Sequence, residues 1–481
     1  MMGLLSVILS RRGEDVSGRL LRMMGAPSGV GDFYGFADRE GAIILPSLPD
    51  RLGFASDAMM GYKMSKVLPL DAPQPINQHG YSMIFEGRLW DSPSPSDLED
   101  AAEVLSSDPS KGLRRLIGCR EGSFVAAILL EDEILMGRDP IGLVPIYYGE
   151  GGGLIAAASS KKMLWRIGME GEPIPPGHIA EISKKGVRLM EVKTLRRPTI
   201  RRTNLEDSVV ELDALLRGSV ERRSKGLLRG FLGFSGGIDS SLLAYYLKLS
   251  GVRVHLICVG LEGSEDIRLA GGVAEELGLP ITLVSLDEAV VEENIDEVLL
   301  SVEGCDPLRV GVGLPLHFAV KAAAELGGRI FFTGCGCDEL FGGYSRYVRD
   351  GVSKNAAMEM MFRDVKNAYA VNYERDHKIC ADLGVELRAP FTDSTLIEFG
   401  LSLPPELRLP SGGDAMRKPL PRALARRLGI PEAAINRQKR AVQYSTGVAM
   451  TLRKISRREG KSVSTYLSER FEHLRKRFYE A

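Results

Sequence analysis

The chain has 481 residues, too many for one ordinary domain, and 44% of them are hydrophobic against 26% charged, the balance of a globular protein with ample core. Its 62 basic and 63 acidic residues leave a formal charge of −1, which argues against a nucleic-acid binder that relies on a strong positive field. No apolar run approaches the length of a membrane span. Six cysteines in so long a chain do not make a disulfide framework.

The chain opens Met1-Met2-Gly3-Leu4-Leu5-Ser6-Val7-Ile8-Leu9. This run is apolar, but Arg11, Arg12, Glu14 and Asp15 follow it and no basic flank precedes it, so a buried first strand is expected rather than a signal peptide. A cytoplasmic location is the default. Ser96 to Leu105 reads as a helix, with Asp97, Glu99 and Asp100 placed to suit the positive end of its dipole. Phe124–Leu130 and Ile134–Gly137 predict a hairpin turning at Glu131-Asp132-Glu133. To about Lys193 the texture is of short strands bounded by Gly and Pro, as in stacked antiparallel sheets with few helices. Leu195–Arg202 is basic and broken by Pro198; a solvated linker is expected there.

From about Leu205 strands and helices alternate. Gly230–Phe234, Val252–Val259, Ile281–Val284 and Arg329–Thr333 are the predicted strands, and Glu265–Leu277 is an amphipathic helix. Such alternation predicts a parallel sheet covered on both faces, with ligands beyond the carboxyl ends of its strands. Beyond Ser353 the chain reads as mostly helical. The fold class is therefore α/β, an N-terminal antiparallel sandwich followed by a doubly wound parallel sheet with a helical C-terminal part.

Four segments carry chemistry. Phe234-Ser235-Gly236-Gly237-Ile238-Asp239-Ser240-Ser241 sits between a predicted strand and a predicted helix. Ser235, Gly236 and Gly237 expose backbone N–H groups at a helix start, which suits a phosphate chain, and Asp239 places a carboxylate where a divalent cation can bridge phosphate oxygens. Thr333-Gly334-Cys335-Gly336-Cys337-Asp338-Glu339-Leu340-Phe341-Gly342-Gly343-Tyr344 follows another strand, and its Asp338 is placed either to join Asp239 on Mg2+ or to cap a helix. The third segment is Gly384-Val385-Glu386-Leu387-Arg388-Ala389-Pro390-Phe391-Thr392-Asp393. The fourth runs from Arg417-Lys418-Pro419-Leu420-Pro421-Arg422-Ala423 to Arg437-Gln438-Lys439.

The octapeptide resembles the pyrophosphate loop of ATP pyrophosphatases, and the four segments together resemble the glutamine-dependent, class B type asparagine synthetases. That resemblance implies an N-terminal-nucleophile amidotransferase-like domain over 1–194 and an ATP-pyrophosphatase domain over 205–481. It implies ATP and Mg2+, with Phe234, Ser235, Gly236, Gly237, Asp239, Ser240, Val259, Thr333 and Gly334 at the nucleotide and Asp239 and Asp338 at the metal. Lys439 inherits the role of a lysine that stabilises charge at the α-phosphate. Glu386 becomes the expected proton acceptor or substrate-binding carboxylate. The implied chemistry is adenylation of an acid, aspartate by default, then attack by ammonia or an amine, leaving an amide and AMP. The implied partners are that small acid and amine, with a homodimer allowed and no membrane; nucleic acid is disfavoured.

The family pattern fails in places. Its glutamine-dependent members begin Met-Cys-Gly, whereas a thioether at Met2 cannot serve as a nucleophile. Their Arg-Gly-Pro-Asp stretch becomes Gly25-Ala26-Pro27-Ser28, and their Asn-Gly pair becomes Glu86-Gly87. Gly137–Tyr148 and Pro175–His178 still match, so the fold is expected to be kept and the glutaminase lost. Cys335 stands where asparagine synthetases carry Glu and β-lactam synthetases carry Tyr. It is a candidate catalytic thiol if cations lower its pKa, a buried inert cysteine otherwise, or a metal ligand with Cys337. Amide or lactam formation on another metabolite, a tRNA-modifying relative, and a regulatory pseudoenzyme are the competing functions.

Overall fold

The computed structural model describes residues 2–26, 31–261, 264–410, 416–438 and 441–480. Among the described residues, the N-terminal half forms two antiparallel sheets of seven and six strands packed face to face. Met2–Ser10 is a strand inside the first sheet, hydrogen-bonded to Ala58–Ser65 on one side and Leu154–Ala158 on the other. The expected hairpin forms between Gly122–Leu129 and Glu133–Arg138. The expected helix runs Asp97–Leu105, with the Ser96 side chain accepting from the Glu99 N–H at its start. Leu5, Val7, Met60, Phe85, Phe124, Ile128 and Met136 are fully buried between the sheets. A helix that the sequence reading passed over, Pro109–Cys119, starts at an Asp108 cap with proline in its first turn.

The C-terminal half is built on five parallel strands, Arg229–Gly233, Arg253–Leu261, Ile281–Leu286, Ile330–Phe332 and Glu386–Arg388. In space they lie third, second, first, fourth, fifth. The order reverses between the first and fourth strands, and the connections there leave in opposite directions. A reversal of this kind favours a crevice at the carboxyl ends of the strands. The last strand falls in the stretch expected to be mostly helical. Its three residues are too few to show a period.

Buried charges join the two halves. Arg88, 5% exposed, leaves the sandwich to pair with Asp71 at 2.6 Å and with Glu386 of the fifth parallel strand at 2.7 Å. Arg138 meets Glu374 at 3.3 Å, and Tyr147 donates to the same carboxylate at 2.7 Å. Lys162 pairs with Asp382 at 2.7 Å. Glu303, at φ +53°, accepts from the Lys162 N–H and the Ser160 hydroxyl and pairs with Lys378 at 2.7 Å. Coulomb attraction between such buried charges roughly offsets their desolvation, but removing one partner strands the other.

One buried carboxyl of the sandwich forms no ion pair with a side chain among the described residues. Glu86 is 1% exposed, its Oε2 accepts from Ser159 Oγ at 2.6 Å, and its Oε1 has no hydrogen-bond partner. Burial pushes this carboxyl up to about 8, so at neutral pH it carries a proton.

Two outcomes follow. Arg88→Met should lower unfolding free energy in urea by about 3–5 kcal/mol, and adding Glu386→Gln should recover part of that loss. For Glu86, the folded state holds a proton between about 4.5 and about 8 that the unfolded state has released. Stability therefore falls as pH rises through that window, and Glu86→Gln should flatten the fall and stabilise the protein by roughly 2–4 kcal/mol at pH 8, with little change at pH 5.

Candidate active site

The first strand of the parallel sheet ends at Gly233, and the chain turns through Phe234–Gly237 into the helix Ile238–Leu249. Gly236 has φ +67°, and a Cβ there would lie 3.0 Å from the Ala270 backbone of the neighbouring helix. Glycine is needed both for the turn and for that approach. Gly237 is the cap residue, and no side chain caps this helix. Its first N–H groups therefore face the crevice without a side-chain acceptor at the cap, the arrangement that favours an anion. Ser240 Oγ donates to the Gly237 carbonyl at 3.1 Å and bonds the Ser235 N–H, so it shapes the turn. Phe234 is buried, with its N–H given to Ile257, and Val259 is nearly buried on the next strand.

The second loop follows the fourth strand, directly across the crevice. Thr333 donates its N–H to Arg388, and a Cβ on Gly334 would stand 3.1 Å from the Asp239 Cβ, so the two loops touch. Asp338 does not cap the short helix Cys337–Leu340, whose cap residue is Gly336 at φ +97°. Instead Asp338 and Asp239 converge on one ammonium, Lys418 Nζ, at 2.6 and 2.5 Å. Nothing around Lys418 in the sequence distinguishes it from a solvated lysine.

The two carboxylates fit a divalent cation. Their oxygens already share one positive neighbour, and hard carboxylate oxygens are what Mg2+ selects. Cys337 is buried beside them and donates its thiol to Asp239 Oδ1 at 3.1 Å. Burial and then the Asp239 charge hold that thiol well above the usual value. Among the described residues, no group of three or more His, Cys, Asp or Glu side chains is placed to hold a metal ion.

Cys335 does not meet the condition under which it would be a thiolate. Burial, then the carboxylates of Asp376 and Glu339, raise its pKa well above the ordinary thiol value, and the Arg375 charge does not outweigh them. The thiol stays protonated and bonds Asp376, which is itself held by Arg375 at 2.7 Å. Glu339 accepts from the Tyr344 hydroxyl at 2.6 Å and from Asn372 at 2.8 Å. Asp376, Arg375, Glu339 and Asn372 therefore form a polar wall that the motif reading did not single out.

Glu386 also stands differently from the expectation. Its register opposite Ile330 puts it at the start of its strand, away from the carboxyl ends. Oε1 accepts from Arg388 at 2.7 Å and Oε2 from Arg88 at 2.7 and 3.0 Å. Burial opposes its ionisation, but Arg388 and Arg88 prevail and hold it well below the usual carboxylate range. Glu386 is thus a buried charge partner of Arg388 and Arg88 at the seam. Next to it, a cavity of about 20 Å³ lined by Arg88, Trp90, Val144, His377 and Glu386 has room for about one water. Burial, then Arg138 and Lys378, depress His377 to about 4, so it is neutral. Lys439 lies outside the described residues, as do Met1, Pro27 and Ser28.

The chain is 29% identical over 391 residues to a protein named putative asparagine synthetase [glutamine-hydrolyzing] 1 of Methanocaldococcus jannaschii, covering 71% of this chain and 72% of that one. It is 30% identical over 351 residues to asparagine synthetase [glutamine-hydrolyzing] 2 of Arabidopsis thaliana, covering 69% of this chain and 58% of that one. The chain thus spans little more than half the length of the plant relative. Among solved structures, a glutamine phosphoribosylpyrophosphate amidotransferase from B. subtilis overlaps 61% of this chain and 70% of its own at 14% identity and a TM-score of 0.35. An NMN synthetase from Francisella tularensis overlaps 58% of this chain and 96% of its own at 15% identity and a TM-score of 0.28. Neither structural overlap is close enough to bear on function. The family model described as asparagine synthase matches residues 211–358 and 349–481, more than half of the chain, and the protein belongs to that family.

Proposed function

We propose that the protein is an ATP-dependent amide-forming ligase that adenylates a small carboxylic acid, with release of pyrophosphate, and then accepts ammonia or an amine rather than glutamine. The observation that carries this reading is the convergence of Asp239 and Asp338, from two glycine-bounded loops, on one cation position at the reversal of strand order. A crevice of that kind offers backbone N–H groups for phosphates from one side and carboxylates for a metal from the other.

In this reading Ser235, Gly236 and Gly237 hold the β- and γ-phosphates, and Thr333, Gly334, Phe234 and Val259 line the nucleoside end. Asp239 and Asp338 hold Mg2+, which when bound neutralises charge on the leaving pyrophosphate. Lys418 and Lys439 add positive charge around the phosphates. The acid is held against the wall of Asp376, Arg375 and Glu339, where Arg375 is the residue suited to a carboxylate. Aspartate is the default acid, since both curated relatives are named for asparagine synthesis. The protein's work is to fix the acid in line with the α-phosphorus and to keep water out.

The loss of glutamine use is supported by the interior of the sandwich. Glu86 fills the position next to Gly87, and a Cβ on Gly3 would lie 2.1 Å from the Tyr62 ring, so the first strand is packed tightly against a buried tyrosine. Arg88 is turned away into the seam. A protonated carboxyl and a buried phenol take up the space beside the first strand. The domain limits 1–194 and 205–481 belong to the same proposal.

A second reading, amide or lactam formation on a different metabolite, draws on Cys335: a protonated thiol backed by Asp376 is a different surface from a carboxylate. Pyrophosphate release from ATP, measured against a panel of acids and amines, separates the two. Release that needs aspartate and ammonium supports the first; release that needs another acid supports the second. No release with any pair, together with no ATP binding, would leave a pseudoenzyme. Asp239→Asn should cut pyrophosphate release at least about 100-fold while the folded far-UV spectrum is retained. Glutamate formed from glutamine at a rate matching product formation would overturn the ammonia assignment.

A further inference from the structure

Lys418 is brought to the acid pair by three separate features. It is 1% exposed and has φ +64°, a left-handed conformation that an L side chain adopts at a cost. That backbone is pinned by Arg422, which gives its Nε to the Arg417 carbonyl at 2.6 Å and its N–H to the Lys418 carbonyl at 3.1 Å. Arg417 in turn donates to the Gly343 carbonyl at 2.6 Å. The lysine stem then passes over Gly343, where a Cβ would fall 2.5 Å from Lys418 Cε and 1.8 Å from Asp338 Oδ1. A strained backbone, its guanidinium props and a missing side chain all serve to put one ammonium between Asp239 and Asp338.

That nitrogen stands where a divalent cation bridging the same two carboxylates would stand, at about 2.1 Å from oxygen for Mg2+. Both cannot be there. A bare dication entering the pair would also leave a buried ammonium beside it with no anion to meet, a like-charge contact in a poorly solvated place. A dication that arrives carrying phosphates brings the missing anion with it.

We propose that Lys418 is a resident stand-in cation: it neutralises Asp239 and Asp338 in the nucleotide-free protein, excludes free divalent ions, and yields its place only to a metal–polyphosphate, whose oxygens receive the displaced ammonium. This rests on the nucleotide-site reading given above and adds a requirement to it. Metal and nucleotide enter as one ligand, and the acid pair is never left without a cation.

The test is Mn2+ binding to the full chain without nucleotide, followed by electron paramagnetic resonance, in the wild type, Lys418→Met and Lys418→Gln. The variants should bind Mn2+ at least about 10-fold more tightly than the wild type, and Asp239→Asn added to Lys418→Met should remove the gain. Folded variants with wild-type Mn2+ affinity would overturn the proposal. If a variant is unfolded without metal, refolding on addition of Mn2+ supports it, because the ion then replaces the lost charge; a variant unfolded at every Mn2+ concentration counts against it. ATP binding to the wild type is measured separately. ATP binding without any Mn2+ gain in the variants would sink the stand-in and spare the nucleotide site; a Mn2+ gain in a protein that never binds ATP would do the reverse.

Discussion

Two carboxylates facing one another in a half-buried crevice are tolerable only with positive charge between them, and the C-terminal half is arranged around that constraint. Asp239 arrives on the first turn of one helix and Asp338 on a four-residue helix across the strand-order reversal. Their approach requires Gly343, where a side chain would collide with Asp338 and Lys418, and is eased by Gly334, where one would crowd Asp239. It also requires Lys418 in a conformation that lysine does not favour. A local strain at one residue is the counterpart of a site that must bind a strongly charged ligand and still fold without it.

The same balance recurs at the seam between the halves, with a different result. There the charges are paired for good. Arg88 is shared between Asp71 and Glu386, Arg388 takes the other oxygen of Glu386, and Glu374 is divided between Arg138 and Tyr147. A carboxylate bonded on both oxygens is fixed in place and weakly basic. Glu386 is one such carboxylate, held by Arg388 on one oxygen and Arg88 on the other. Glu86 shows the third solution, a buried acid that keeps its proton.

Much of the fold was legible in the residues. The hairpin at Glu131–Glu133, the helix after Ser96 and the strand–turn–helix at Phe234–Asp239 all declare themselves through period and turn chemistry, which are local. The fifth parallel strand was hidden, since three residues carry no period. The partners of site residues were hidden for another reason. Arg88 and Glu386 lie 298 positions apart, and neither residue's neighbours mention the other. Cys335 was likewise read by type alone; its character is set by Asp376, 41 positions on in a separate helix. The helix at Pro109 was visible in principle, through the Asp-Pro pair at its start.

The left-handed residue Glu303 has a bearing on why the sandwich persists at all. Its carboxylate is met by Ser160 and Lys162 from one half and by Lys378 from the other. Glu374 and Glu386 likewise take a cation from the sandwich, Arg138 and Arg88, while Lys378 and Arg388 supply cations to Glu303 and Glu386 from the parallel-sheet half itself. Without the upstream half Glu374 would lose Arg138 and Glu386 would lose Arg88, and a buried carboxylate that loses a partner is costly. The two halves are thus locked by charges that each lends to the other.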